Sequence, residues 1–436
     1  MCSTSRLFAL LLLMSCPAWA AMQFRVGSFA ANTSTGNQSI TGVGFQPKAV
    51  FFWGNKQTAD GNATDAELFI GAATSSTQRW ALWQAAHNTS GTSNAHRIRE
   101  NAACIEIRDL PSVPTNASTA NGRADFVSFD SDGFTINWSD APTAAYIIHY
   151  AVWGGTDITN AKAGIFSSAT SSGNQTVTDP GFQPGFVLLA QISNTGELVA
   201  NDTDVVHAQL ILGLAAGGGS YTLAAQTENN RTVFDNYRYQ SSSRFYTTVD
   251  NQADVDAATF VGFTSTGWTM NWSTVPAGDP VHYLALAGGQ YAVGTYTTQT
   301  VTGTLNAVTS LSFDPVGMLN FSTFSTNSTH TAEAYYMIGG ASSASARGVV
   351  ENSSLENQNL NQRLDRTRVY SYLTAGATPT LNGDIDFVDF APTSGKGFRL
   401  NQTDADPSAQ QVGYVAFGSA PAATCPATRL TMGVGC

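Results

Sequence analysis

The chain of 436 residues carries a formal net charge of −11, with 42% hydrophobic and only 12% charged residues. Its hydrophobic content excludes an intrinsically disordered chain, and its acidic balance disfavours nucleic acid and anionic membranes as partners because like charges repel. Typical proteins have about 25% charged residues, and a fraction near half of that favours a secreted β-protein with a hydroxyl-rich surface over a cytosolic enzyme.

Residues 1–21 have the pattern of a secretory signal. Arg6 precedes an apolar core, Leu7 to Met14, and Ala18-Trp19-Ala20 is a small-x-small cleavage motif. The core is too short to cross a bilayer, which takes about 20 residues, and no later segment is apolar enough to be transmembrane. A lipobox ending at Cys16 is the alternative, which would make the protein a lipoprotein. Either pattern predicts an extracytoplasmic location, periplasmic or extracellular.

One stretch occurs three times, with a Gly turn, a short alternating run, a loop and a second run that ends in small residues. Its copies are residues 133–155, 267–289 and 397–419. Four further landmarks recur in the same order. We therefore divide the chain into unit 1, unit 2 and unit 3, which are residues 22–155, 156–289 and 290–418, followed by a tail at 419–436.

The repeat spacing of about 130 residues is too long for a solenoid and suits a complete domain. Within a unit, short Val-, Phe- and Tyr-rich runs alternate with polar residues, which predicts eight or nine antiparallel strands. The predicted fold class is all-β, with three tandem antiparallel β-sandwich, jelly-roll-like domains. Each has its own core. Because the linkers between units are short, we expect the three units to pack closely against one another.

Strand faces follow from the same patterns. Phe126, Ser128 and Asp130 alternate with Val127 and Phe129, so the two sets are expected on opposite faces of one strand. The runs at 48–54 and 149–155 are nearly continuous in apolar residues, which predicts strands covered on both faces. The corresponding run in unit 2 is one residue longer, so the faces of His149 and His282 stay open.

After signal removal the chain keeps three cysteines. Cys425 and Cys436 close a short loop, and in an oxidising compartment their disulfide would contribute about 2–3 kcal/mol. Cys104 lies in an alternating run. It is expected to be an inert core residue rather than a reactive thiol.

Acidic residues supply the candidates for metal binding or hydrolysis. Asp130-Ser-Asp132-Gly133 suits either a calcium loop or an ordinary hairpin turn. The six histidines are not spaced as metal ligands, so no cofactor is predicted, with calcium as the alternative. Glu67, Glu106 and Asp109 are available for a glycosidase acid pair, which requires two carboxylates facing across a cleft.

Aromatic residues are the strongest candidates for ligand binding. Trp80 and Trp83 lie in a segment whose counterparts in units 2 and 3 lack both. On a strand they point to opposite faces, so two interpretations are open. Ordinary core packing is favoured, and the alternative is that one ring is exposed and binds a sugar with the help of its polar neighbours. The candidate ligand-binding residues are Arg79, Trp80, Trp83, Gln84, His87 and Asn88.

An asparagine recurs at one position of the hairpin in all three units, as Asn137, Asn271 and Asn401. We expect its side chain to bond to nearby backbone. A ligand contact is the alternative.

The combination of a Phe-x-Pro strand, a Gly-Phe-Thr hairpin and a final strand rich in small residues resembles H-type lectin domains and receptor-binding modules of phage tail fibres. The residues that carry it in unit 1 are Phe45, Pro47, Val50, Gly133, Phe134, Thr135 and Tyr150 to Gly154. H-type lectins are six-stranded sandwiches that form trimers and bind N-acetylgalactosamine-like sugars. The resemblance therefore implies that the three units of this chain take the place of a trimer and pack with pseudo-threefold symmetry. No residue matches the lectin sugar site, so the resemblance implies fold more than ligand.

These observations predict a secreted, non-enzymatic binding protein that recognises carbohydrate or another cell-surface ligand. A structural or assembly subunit of virion-like or surface-layer origin is the alternative, and a glycan hydrolase is a third hypothesis. The oligomeric state is left open.

Overall fold

The computed structural model describes residues 21–421, except for 90–91, 193–199, 233–234, 251–252, 275–276, 355–359, 375–377, 391 and 393–394. The signal or lipobox, and the predicted Cys425–Cys436 disulfide, therefore lie outside the described residues. Within them, thirty-three strands and no helix are present, and every ladder between these strands is antiparallel. The predicted all-β fold class is confirmed.

The strands of unit 1 are β1 Gln23–Ala30, β2 Gly36–Thr41, β3 Pro47–Gly54, β4 Gly61–Thr64, β5 Ala66–Ser75, β6 Gln78–Thr89, β7 Thr92–Glu100, β8 Ile105–Asp109, β9 Thr119–Asp130, β10 Gly133–Asp140 and β11 Ile147–Gly154. Those of unit 2 are β12 Asn160–Ser167, β13 Gly173–Val177, β14 Phe186–Gln191, β15 Val205–Val206, β16 Ala208–Ala216, β17 Gly219–Thr227, β18 Asn236–Ser241, β19 Tyr246–Asp250, β20 Ala253–Thr264, β21 Gly267–Trp272 and β22 Pro280–Ala287. Those of unit 3 are β23 Gln290–Thr297, β24 Gly303–Val308, β25 Pro315–Ser322, β26 Thr331–Ala332, β27 Ala334–Ser343, β28 Ala346–Ser354, β29 Leu360–Asp365, β30 Tyr370–Thr374, β31 Thr380–Asp389, β32 Phe398–Asp404 and β33 Gln411–Gly418.

The strands form three seven-stranded and three four-stranded sheets with a repeated order. The seven-stranded orders are β1-β11-β3-β5-β6-β7-β15, β12-β22-β14-β16-β17-β18-β26 and β23-β33-β25-β27-β28-β29-β4. The four-stranded orders are β2-β10-β9-β8, β13-β21-β20-β19 and β24-β32-β31-β30. Eleven strands per unit exceed the eight or nine predicted, partly because short polar segments such as residues 61–64 also pair.

One strand of each unit completes a sheet of another unit. These exchanged strands are β4, β15 and β26, which pair with β29, β7 and β18 respectively. Unit 1 thus gives a strand to unit 3, unit 2 gives one to unit 1, and unit 3 gives one to unit 2. The exchange closes a cycle and ties the three units together through backbone hydrogen bonds.

Each exchanged strand ends at the same backbone feature. The next residue, Asp65, His207 or Glu333, has a left-handed φ of 69°, 68° or 76°. This conformation is uncommon for residues other than glycine, and here it turns the chain from the neighbouring unit's sheet into its own. The following strand, β5, β16 or β27, then enters the middle of the seven-stranded sheet of its own unit.

Buried side chains form one shared core and three sandwich cores. Along β3, Ala49, Phe51 and Trp53 enter a central core that contains residues of all three units. Val50 and Phe52 point the other way, into the core between the two sheets of unit 1. The prediction that strands such as β3 and β11 are covered on both faces is confirmed. The largest core, however, is shared rather than private to one unit.

Side-chain sizes are complementary where the seven-stranded sheets meet. Equivalent positions of β11, β22 and β33 hold His149, His282 and Gly413, and each of these residues packs against the neighbouring unit. The contacting pairs are His149 with Gly348, His282 with Trp80 and Gly413 with Tyr221. A Cβ at Gly348 would lie 2.3 Å from the His149 ring, so glycine there makes the room that the imidazole takes. Both histidines are fully buried on the central-core side.

Candidate ligand-binding groove

Trp80 and Trp83 point to opposite faces of β6, but neither is exposed. Trp80 lies in the central core, where its Nε1 donates a hydrogen bond to the Tyr283 carbonyl at 2.9 Å. Trp83 lies in the sandwich core of unit 1. Both rings pack in cores, as the favoured interpretation has it, because the seven-stranded sheet is covered on both faces. Every tryptophan among the described residues is buried, so none offers a stacking surface.

The other predicted site residues do not converge around these rings. Arg79 is held by Asp125 and by the Ala102 carbonyl, which its Nε contacts at 3.2 Å. Gln84 is buried beside a cavity of about 10 Å³ where the three units meet, which has room for about one water molecule. The side chain of Asn88 lies outside the described residues.

His87 belongs to an ion-pair network with two of the predicted glycosidase carboxylates. Its Nε2 lies 3.1 Å from Glu67 Oε1, and Lys56 Nζ lies 3.4 Å from Glu67 Oε1 and 2.5 Å from Asp109 Oδ1. Burial raises the pKa of Asp109, but hydrogen bonds from Lys56 and Asn121 outweigh it and hold that pKa below its usual value. A general acid requires a raised pKa. Lys56 therefore bridges Glu67 and Asp109, and this pair of carboxylates has a structural role.

Glu106, the third of those carboxylates, lies in a different network. It is fully buried and accepts hydrogen bonds from Arg108 Nη1 at 2.9 Å and Arg123 Nε at 2.8 Å. Burial raises its pKa, although both arginines oppose that shift. Because Glu106 is enclosed by two guanidinium groups, it does not face the other carboxylates across an open cleft.

The aspartates of the first hairpin turn bind backbone and hydroxyl donors. Asp132 accepts hydrogen bonds from the amides of Gly42 at 3.1 Å and Gly44 at 2.5 Å. Asp130 accepts one from the Thr135 hydroxyl at 2.7 Å. These bonds are the turn chemistry that the sequence suggested as one of its two interpretations.

The recurring asparagines bond to other side chains rather than to backbone. Asn137 donates to Asn37 Oδ1 and Asn271 donates to Asn174 Oδ1, each at 2.7 Å across two strands. The expectation of a backbone partner is wrong for these two. Their partners belong to a Gly-Asn-Gln motif that the sequence repeats at 36–38 and 173–175.

A polar groove lies between units 1 and 3, where β1 passes the hairpin that joins β27 to β28. We call it the Arg25 groove, and its volume is about 290 Å³. Its lining residues are Arg25, Val26, Gly27, Ser28, Thr41, Gly42 and Tyr150 from unit 1, and Ser345, Ala346, Arg347 and Arg366 from unit 3. Three guanidinium groups and no carboxylate are among these described lining residues, on a chain whose net charge is −11.

Two of the three arginines already have partners. Arg347 Nε lies 2.8 Å from Asp386, and Arg366 Nε lies 2.9 Å from Asp60. Arg25 is exposed and makes no ion pair with the described residues. Burial raises the pKa of the neighbouring Tyr150, while the charge of Arg25 and a hydrogen bond to it partly offset that effect.

The corresponding position between units 1 and 2 has a different electrostatic arrangement. By strand register, Lys162 and Tyr283 occupy the places of Arg25 and Tyr150. Lys162 Nζ lies 3.1 Å from Asp179 Oδ1, and the Tyr283 hydroxyl donates to the same carboxylate. This cation and this tyrosine are therefore already satisfied by an internal acid.

Gly42 is the residue of unit 1 that corresponds to Asp179. It has no side chain, and a Cβ placed there would meet no atom within 4 Å. Arg25 therefore faces open space where unit 2 has a carboxylate, and the buried Tyr150 lies beside it and shares a hydrogen bond with it. The sequence carries this signal, as TGVGFQP against TDPGFQP, but nothing local in it brings Arg25 near Arg347 and Arg366.

A second groove of about 310 Å³ continues from the Arg25 groove and shares Arg25 and Ala346 with it. Its lining combines polar residues with apolar surface from the half-buried Phe45 and Val316, whereas Met22 and Phe24 are buried. The two grooves together form an elongated depression, mixed in polarity at one end and cationic at the other.

No helix long and apolar enough to cross a membrane occurs within the described residues. Compared with protein-family models and with curated proteins, the chain matches none of them.

Proposed function

We propose that this protein is a non-enzymatic, extracytoplasmic binding protein that recognises carbohydrate in the Arg25 groove. The observation that carries the proposal is an elongated depression with guanidinium and hydroxyl groups at one end and, at the other, polar groups beside the apolar side chains of Phe45 and Val316. Sugars present hydroxyls and apolar C–H faces together, and sites that bind them combine a few placed polar groups with apolar surface. The groove replaces the Trp80/Trp83 segment as the candidate site.

The absence of an acid–base pair in the described residues around Glu67 and Asp109 favours binding over hydrolysis. Lys56 bridges those two carboxylates, and the lowered pKa of Asp109 suits a permanent ion pair. Loss of any glycan turnover in Glu67→Gln, with binding intact, would instead support the hydrolase hypothesis.

A structural or assembly subunit is the second candidate function. The cyclic exchange of β4, β15 and β26 favours it, because interlocked sheets resist stepwise unfolding. Ordered self-assembly of the purified protein without any glycan, seen by electron microscopy, would support this function.

A glycan array with the wild-type protein and Arg25→Ala tests the proposal. We expect glycan binding by the wild type and a loss of at least about tenfold in affinity for Arg25→Ala, since a charge-assisted hydrogen bond is removed. Lys162→Ala is the matched control, because Lys162 already forms an ion pair with Asp179. Failure of the wild type to bind any glycan, or equal binding by both variants and the wild type, would refute the proposed site.

A further inference from the structure

The charge of the Arg25 groove indicates which carbohydrates it would take. We infer that its ligand is an anionic saccharide whose carboxylate or sulfate binds Arg25 beside Tyr150. The inference rests on the proposed function and narrows its ligand class. It follows from a comparison of equivalent positions in units 1 and 2. Both positions have a cation and a tyrosine, but only unit 2 has an acid that binds them.

Unit 2 supplies the internal reference. There the carboxylate of Asp179 lies between Lys162, at 3.1 Å from its Nζ, and the Tyr283 hydroxyl, which donates to it. A cation on the first strand of a unit and a tyrosine on its last strand are thus arranged to hold a carboxylate. The backbone register of β1 with β11 matches that of β12 with β22, so Arg25 and Tyr150 occupy the equivalent backbone positions.

Unit 1 lacks the acid that would fill this arrangement. Gly42 stands where Asp179 stands in unit 2, and the space beside it is open. The nearest carboxylate that influences Tyr150 is Asp132, whose two oxygens accept hydrogen bonds from the backbone amides of Gly42 and Gly44. Asp132 is therefore engaged elsewhere, and an external anion would complete the site.

The surroundings add to the attraction. Arg347 and Arg366 also line the groove, and their partners Asp386 and Asp60 cancel two of the three positive charges. One uncompensated guanidinium remains at the groove, and its planar fork suits a carboxylate or sulfate because it donates two parallel hydrogen bonds. The adjoining apolar surface at Phe45 and Val316 would contact the C–H faces of the same saccharide chain.

The test is an array of uronate- and sulfate-bearing oligosaccharides, each printed beside its carboxyl-reduced or desulfated counterpart. We expect the wild type to prefer the acidic member of a pair by about tenfold or more, less so at high salt. Arg25→Ala should abolish the preference, and Arg25→Lys should keep part of it. Lys162→Ala should leave the preference unchanged.

Each alternative outcome has a distinct meaning. Equal binding of acidic and neutral counterparts, unaffected by Arg25→Ala, would overturn the inference while the proposed carbohydrate binding stands. No binding to any glycan would overturn both. Competition by polyglutamate as strong as by the acidic saccharides would overturn the saccharide part. Arg25 is exposed, so a thermal melt of Arg25→Ala that matches the wild type separates loss of binding from loss of fold.

Discussion

Buried titratable residues give the molecule two opposing pH dependences. Burial lowers the pKa of His149 and His282 to about 3, with help from the nearby Arg366 and Arg99 respectively. Their native pKa lies below the unfolded value, so their contribution to stability is present above about pH 6.5 and is lost as the pH falls towards 3. Burial raises the pKa of Asp406 to about 7, so its contribution is present at low pH and is lost as the pH rises to 7.

Asp406→Asn should remove one of these pH dependences. Asp406 is buried and accepts a hydrogen bond from the Tyr370 hydroxyl at 3.1 Å, which an asparagine oxygen can also accept. Between about pH 5 and about pH 8 the wild type loses stability as Asp406 ionises, and the variant does not. The unfolding free energy of the variant relative to the wild type should therefore rise by about 2–3 kcal/mol over this range. Denaturant unfolding at both pH values measures it, with the exposed Asp314→Asn as control. If variant and wild type differed in unfolding free energy by the same amount at both pH values, the raised pKa of Asp406 would be contradicted.

Gly348→Ala tests the complementary sizes at the contact between units 1 and 3. The new methyl group would lie 2.3 Å from His149, and overpacking of this kind costs about 1–3 kcal/mol. Adding His149→Ala should recover much of that loss, so a double-mutant cycle by denaturant unfolding should give a coupling of about 1 kcal/mol or more. Gly262→Ala, with no atom within 4 Å of the new Cβ, is the control. Strictly additive effects would show that the two residues do not compete for space.

At the scale of the strand, one bulge recurs three times and corrects the expected alternation. On β9 the pairing with β10 skips Val127, which is 40% exposed. Phe126 and Phe129 consequently face the same core, with ring centroids 4.6 Å apart, although strict alternation placed them on opposite faces. The pairings of β20 with β21 and of β31 with β32 skip Val261 and Val388 in the same way. The extra residue changes the phase of the strand.

The bulge makes deletion and substitution of Val127 differ sharply. Val127→Ser should change stability by no more than about 0.5 kcal/mol, because the side chain is largely exposed. Deletion of Val127 should cost about 3 kcal/mol or more, because restored alternation turns one of the two phenylalanines towards solvent. Thermal unfolding of both variants checks this, with Val261→Ser as a second exposed substitution. A deletion as mild as the serine variant would show that the bulge does not set the phase.

At the scale of the whole molecule, a shared core and three exchanged strands join the units. The central core draws on all three units, and the exchanged strands close a cycle. Arg97 of β7 secures one exchange by donating to the carbonyls of Val206 and His207 at 2.6 and 3.0 Å. Asp157, between units 1 and 2, accepts hydrogen bonds from the amides of Met22 and Ala420, at 2.9 and 2.8 Å. The first and last described strands therefore meet at a linker between units.

A single cooperative unfolding transition is the expected consequence. No unit can lose its fold without exposing the shared core and releasing a strand from a neighbour, so calorimetric and van't Hoff enthalpies should agree. Gly348→Ala should lower the one transition temperature without splitting the peak. Three separable transitions by differential scanning calorimetry would mean that the units unfold independently.

Packing around a threefold axis stays a prediction at this scale. A compact arrangement of about 400 residues should have a radius of gyration near 21 Å. Small-angle scattering measures it directly, and an elongated particle would rule the arrangement out.

The sequence by itself determined the all-β class and the burial of strands such as β3 on both faces. These properties depend on period-two patterns and on unbroken apolar runs, which are local and therefore readable along the chain. Only the tertiary structure decided that Trp80 is buried against another unit, that residues 61–64 complete a distant sheet, and that Arg25 lies beside Arg347. Those facts depend on which sheets meet and in which register. Such contacts join residues far apart in the chain, so no local pattern specifies them.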